Sequence, residues 1–264
     1  MSLLANALAV QDIYASESDR IRIAFACSHD GEAAIRQQSA LVDRVILQLW
    51  NSAQGAESAH LCVAAIGGYG RSTLFPFSDV DLLFVCGQTG GEQEQKSLIS
   101  KLCRALWDMH LRVSPSVRSL AECGVLQRDN FEFSISLLDC RYLCGERALF
   151  EQLRSQVIPR MVAREARELM QSLWELTRRR HQKYGHTIFH LEPNIKEYPG
   201  GMRDHQVACW LAIISGLEKS LIWPEPESLL PEALSRDCDA ALRFLCSVRC
   251  FLHYQQGRNL NVLT

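Results

Sequence analysis

The chain has 264 residues, 47% of them hydrophobic and 22% charged, with a formal net charge of -2 and a pI near 6.4. That length and apolar share allow one large domain or two modest ones around a substantial core. The balanced charge excludes a global basic field of the kind that by itself draws a protein to nucleic acid or to an anionic membrane, so any nucleotide site must be local.

The opening residues, MSLLANALAVQDIYASESDR, lack the basic start and long apolar centre of a secretory signal, and no later run reaches the ~18 apolar residues of a membrane span. A soluble, cytoplasmic protein without a membrane or nucleic-acid partner is the expectation. Residues 31 to 53 are predicted to form an amphipathic helix, because Val42, Val45, Ile46, Leu49 and Trp50 recur on one face. This helix belongs to an N-terminal helical extension assigned to residues 1–55. After the polar loop SAQGAESAH, the short apolar run LCVAAI (61 to 66) suits a buried strand. Residues 67 to 78 form a connection rich in Gly, Pro and Ser, and 79 to 86 a second strand. GQTGGEQEQ is a surface loop.

Helical spacing returns over 95 to 110 through Leu98, Leu102, Ala105, Leu106 and Met109, and LRVSPSVRSL follows as a strand interrupted by Pro115. Strand, loop, strand, helix, strand is a mixed pattern, and it defines a core segment, 56–146. From 147 to 264 the apolar steps of three and four, as in Val162, Ala166, Leu169, Leu173 and Leu176, predict a helical domain. The fold class expected is α+β. Eleven cysteines are scattered without a Cys-x-x-Cys pair, and Cys140/Cys144 and Cys246/Cys250 have helical spacing in apolar surroundings, so buried free thiols are expected rather than bridges or metal ligands.

The chemistry concentrates in GGYGRSTLFPFSDVDLLFVC, residues 67 to 86. Residues i and i+2 of a strand point the same way, so Asp79 and Asp81 present two carboxylates on one face, about 7 Å apart at their Cα atoms. Such a pair needs a cation, and hard ions such as Mg²⁺ favour one or two carboxylates plus substrate phosphates. Two solvated turn aspartates are the plainer alternative. Gly67, Gly68 and Gly70 permit positive φ and close backbone approach, and Arg71 adds a cationic fork for phosphate oxygens. Together these parts make a triphosphate and metal site.

This motif resembles the nucleotidyltransferase signature of the bacterial protein-PII uridylyltransferases, a branch of the polymerase-β-like nucleotidyltransferase superfamily. LVDRVILQLW, LWDMHLRVSPSVRSLAEC, LLDCRYLCGERALF, HLEPNIKEYPGGMRDHQVACWLA and FLHYQQGRNLNVLT resemble further blocks of that family in the same order, from about residue 40 onward. The resemblance implies a small mixed sheet with helices followed by a helical domain, and transfer of UMP from UTP to a tyrosine of the PII protein with release of pyrophosphate. It implies Mg²⁺ on Asp79 and Asp81, in a two-metal site, with Gly67, Gly68 and Ser78 at the triphosphate. Arg71 either joins them or braces the loop.

The superfamily adds a third carboxylate from a neighbouring strand, but LRVSPSVRS contains no acid. Asp139 is the first substitute and Glu122 the second, each with an ordinary helix-surface or capping role as the alternative. HLEPNIKEYPGGMRDHQ (190 to 206) is punctuated by prolines and glycines that preclude a helix through its middle, and it either closes over the nucleotide through Lys196 or Arg203 or serves as a connector. RRRHQK (178 to 183) reads as a solvated helix face. His29-Asp30 precedes both regions and lacks the surrounding ligand series of the family's hydrolase domain, so uridylyl removal is not expected. The chain resembles an N-terminal fragment that stops before the hydrolase and small-molecule-sensing domains. The alternatives are a non-catalytic nucleotide-binding module and a nucleotidyltransferase with another acceptor.

Overall fold

The structure, a computed structural model, describes residues 3–53, 60–87, 91–217 and 223–264. The middles of the two expected surface loops, 54–59 and 88–90, lie outside the described residues. The architecture is α+β: a four-stranded mixed sheet with helices, followed by C-terminal helices. Two helices open the chain, α1 (Leu3–Ser28) and α2 (Gly31–Ser52). The side chain of Asp30 caps α2, accepting the Ala33 N–H at 2.9 Å, so the His-Asp dipeptide has a local structural role.

The sheet is built from β1 (Leu61–Ala65), β2 (Val80–Cys86), β3 (Val113–Ser119) and β4 (Arg141–Gly145), in the order β3-β2-β1-β4. β1 runs antiparallel to β2 and β4, while β2 and β3 are parallel, joined through α4 (Glu92–Asp108). The connection after β1 contains one helical turn, α3 (Gly67–Gly70). β3 runs through Pro115 without a break, because it is an edge strand where the missing N–H costs no central ladder bond.

β4 was not foreseen. Cys144 lies within it and Cys140 just before it, so this pair does not share a helix, whereas Cys246 and Cys250 do. All eleven cysteines are free thiols. Between β3 and β4 lie α5 (Leu120–Cys123), α6 (Phe131–Ser136) and a 3₁₀ turn over Leu137–Asp139. The C-terminal part holds α7 (Arg147–Gln152), a π-helical turn (Leu153–Val157), α8 (Ile158–Lys183), α9 (Met202–Ile214), α10 (Pro226–Leu229) and α11 (Glu232–Gln256). No helix among the described residues is long and apolar enough to cross a membrane.

Strand alternation sorts the core into two clusters, one on each face of the sheet. Leu61, Val63, Ala65, Val80, Leu82 and Phe84 face α1, α2 and α4. Cys62, Ala64, Ile66, Leu83 and Val85 face α8, α9 and the short helices before them. The same alternation carries Asp81, and Asp79 just ahead of the strand, onto the second face.

Candidate active site

Gly67, Gly68, Arg71, Ser78, Asp79, Asp81, Asp139, Lys196 and Arg203, read from sequence as site residues, all line one cavity of about 1080 Å³ between the sheet and the C-terminal helices. Seven Lys and Arg side chains and five carboxylates line it, a balance that suits a polyanion able to bring a cation of its own.

The glycine turn is held in place by sterics and by a buried network. Gly67 has φ +59°, and a Cβ there would stand 3.1 Å from Asp81 Oδ2, so a side chain would be strained and would press on the carboxylate. At Gly70 a Cβ would meet the Asp139 carbonyl oxygen at 2.1 Å. Tyr69 is fully buried between them, and its hydroxyl donates to Asp43 Oδ1 of α2 at 2.6 Å. Arg141 of β4 clasps the same carboxylate at 2.8 and 3.1 Å and donates to the carbonyls of Tyr69 and Gly70. Three elements therefore fix the turn at the mouth of the strand pair.

The carboxylates differ in surroundings. Burial, and then the charge of Asp79, push the Asp81 carboxyl up to about 6, against Lys196, Arg71 and a hydrogen bond from Ser114. Asp79 is more open and pairs with Arg112 Nε at 3.0 Å. The β2–β3 register, Val80 beside Val113 and Asp81 beside Ser114, puts Arg112 next to Asp79. The positions beside Asp79, Asp81 and Leu83 are thus a cation, Arg112 just ahead of β3, and two hydroxyls, Ser114 and Ser116, which both line the cavity. No group of three or more His, Cys, Asp or Glu among the described residues is placed to hold a metal ion unaided.

Asp139 lies neither on a helix surface nor at a cap. Its side chain is fully buried, bonded to Arg71 and accepting the Trp210 indole N–H at 3.0 Å. Burial pushes its carboxyl up to about 6, opposed mainly by Arg71. Arg71 in turn is stacked over Trp223 and Trp210, so its guanidinium is engaged within the protein and braces the loop. Glu122 lies outside this cavity. It forms the capping box of α5 with Ser119, whose N–H and hydroxyl hold its carboxyl below the usual range.

The 190–206 segment contains no helix before Met202, and its backbone is tied down: the N–H groups of Met202 and Arg203 donate to the carbonyls of Ile195 and Lys196 at 3.0 and 2.9 Å. Lys196 and Arg203 share Glu197 at 3.6 and 3.4 Å. Burial, then Arg203 and Arg249, lower Lys196 to about 8. RRRHQK is not the uniformly solvated face expected. Arg180 is nearly buried and, with His181, grips Asp204; burial raises that carboxyl, but Arg180, the Gly200 N–H and His181 hold it below its ordinary value.

Arg249 is a site-lining residue that the sequence reading passed over. It sits at 5% exposure on α11, between Cys246, Cys250 and His253 on the buried stripe. A charge on an otherwise apolar helix stripe was the available signal.

Residues 149–264 match the family described as GlnD PII-uridylyltransferase. The "Bifunctional uridylyltransferase/uridylyl-removing enzyme" of Aromatoleum aromaticum is 36% identical over 248 residues, 93% of this chain and 28% of the relative. Proteins of the same description from Cupriavidus pinatubonensis and Methylococcus capsulatus are 35% and 34% identical over 89% and 85% of this chain, and 26% and 25% of their own lengths. The chain thus spans about a quarter of the length of the curated relatives it matches.

Proposed function

This chain is homologous over most of its length to the N-terminal part of the bifunctional PII uridylyltransferase/uridylyl-removing enzymes, and from that premise we propose that it is their nucleotide-transferring region. The fold is then a polymerase-β-like nucleotidyltransferase core over 56–146, with helices of 1–55 and 147–264 packed around it. The reaction is transfer of UMP from UTP to a tyrosine hydroxyl of PII, with pyrophosphate leaving. The observation that carries the reading is the single cavity in which two strand-edge carboxylates face a cluster of cations.

The residues fit a divalent cation shared with phosphates. Asp79 and Asp81 offer hard oxygen donors from one strand edge, and the Ser78 hydroxyl is buried among the cavity-lining residues without a hydrogen-bond partner among the described residues. Asp79 and Asp81 would hold Mg²⁺, which supplies charge neutralisation on phosphate oxygens. Gly67 and Gly68 let the backbone approach the triphosphate, and Lys196 and Arg203 offset its charge. Arg71, fixed by Asp139, positions the turn. The cavity walls hold the acceptor oxygen and α-phosphorus in line, so that the oxygen–phosphorus bond forms as the bond to pyrophosphate breaks and the tyrosine proton is released to solvent.

One observation favours a second reading, a nucleotide-binding module without transfer: Arg112, just ahead of β3, and the serines on that strand's site face stand where a further carboxylate would. Incubation with Mg²⁺, α-labelled UTP and a PII protein decides between them. Transfer gives labelled PII, lost in Asp79→Asn and Asp81→Asn; an unlabelled PII, beside an active full-length relative, removes PII as the acceptor and leaves the binding module or transfer to another acceptor.

A further inference from the structure

The C-terminal helix contributes a buried cation to the cavity that the protein leaves without an anion. Arg249 donates through Nε to Asn261 Oδ1 at 2.6 Å and lies over the Phe75 ring at 4.0 Å. Among the described residues, no acceptor takes a hydrogen bond from its two terminal nitrogens, and no carboxylate pairs with it. An arginine so deeply buried is ordinarily paired.

Its setting is rigid. Asn261 is held by the tail, where its carbonyl accepts the Ile195 N–H at 2.9 Å and Asn194 bridges to Val262. His253, one turn along α11, bonds the Pro76 carbonyl of the site loop. Arg203 stands close enough to lower the proton affinity of both Lys196 and Arg249, Arg249 adds to the effect on Lys196, and among the described residues Glu197 is the carboxylate that pairs with Lys196 and Arg203. The cluster therefore holds excess positive charge at the cavity wall, beside Lys196, whose own charge reaches Asp81.

We propose that Arg249, with Lys196 and Arg203, forms an anion subsite that takes the terminal phosphates of a nucleoside triphosphate and so selects triphosphates over monophosphates. The inference rests on the nucleotide-transfer reading for its ligand and adds to it a residue and a selectivity. The geometry is that of a preformed receptor: the planar fork of Arg249 is oriented by ring and amide before any ligand arrives, so little side-chain entropy is lost on binding.

Calorimetric titration of the chain with UTP and with UMP, in Mg²⁺, tests it. Arg249→Gln should weaken UTP about ten- to a hundredfold, the range of charge-assisted hydrogen bonds, and leave UMP within about twofold. Lys196→Gln, at a more accessible member of the cluster, should show the same selective loss and keeps the test decisive where Arg249→Gln fails to fold. Equal weakening of UTP and UMP, unchanged UTP binding, or a parent chain without preference for UTP each overturns the proposal. Failure of label transfer to PII with UTP selectivity intact would remove the PII-transfer reading and leave the subsite standing. Intact transfer with the selectivity unchanged in both variants would do the reverse.

Discussion

The two faces of the sheet are made from alternate residues of the same strands, yet one is closed and the other open. On the face toward α2 and α4, Val80, Leu82 and Phe84 are wholly buried among aliphatic and aromatic side chains. On the opposite face the sequence Asp79, Asp81, Leu83, Val85 starts in charge and ends in core, so the strand enters the protein through a cavity. The difference teaches that one strand can serve both roles when polarity changes along one face while the other stays apolar. Rigidity comes from the closed face, and charge is presented on the open one.

Substitutions on the two faces should separate these roles. Asp81→Asn is expected to lower transfer to PII by about 10³-fold, roughly 4 kcal/mol of transition-state stabilisation, with no loss of thermal stability, because it removes a carboxylate that is itself costly to bury. Phe84→Ala, on the closed face, should cost about 3–5 kcal/mol in urea unfolding while the remaining folded protein still binds UTP. A Phe84→Ala protein of full stability that had lost UTP would break the division between the faces.

A smaller effect concerns the contact between α11 and the site loop, where His253 bonds the Pro76 carbonyl. Burial, and then Arg249, lower His253 to about 4, so the imidazole is neutral in the folded protein. Its pKa lies below the unfolded value near 6.5, so the unfolded chain takes up the proton first. The contribution is fully present above about 6.5 and falls as pH drops toward 4, by up to about 3 kcal/mol. His253→Gln should flatten that acid limb of the stability curve; an unchanged limb would show that other groups govern it. The smallest effect is expected at Arg112→Gln, which frees Asp79 of an exposed ion pair and should raise Mn²⁺ affinity about two- to fivefold.

Much of this was legible in the sequence because it is local. The i, i+2 spacing of Asp79 and Asp81, the glycines after an apolar run and the prolines of 190–206 each specify geometry within a few residues. What was not legible depends on pairing across the chain. β4 was missed because RYLCG has no alternation to announce it, and its pairing partner, β1, lies about 80 residues earlier. Arg71 and Asp139, and Arg180 with Asp204, are ion pairs separated by 68 and 24 residues, and no single-residue reading reveals which charge is already satisfied. Arg249 was hidden within a helix taken for its apolar stripe.

The most direct test is the dependence of UTP binding on Mg²⁺, measured by calorimetry on the parent chain and on the Asp79→Asn/Asp81→Asn double variant. A site in which carboxylates and cations share one ligand predicts that Mg²⁺ strengthens UTP binding to the parent by about tenfold or more and leaves the double variant unaffected. Binding that ignores Mg²⁺ in the parent, or that gains equally from it in the double variant, would contradict the account.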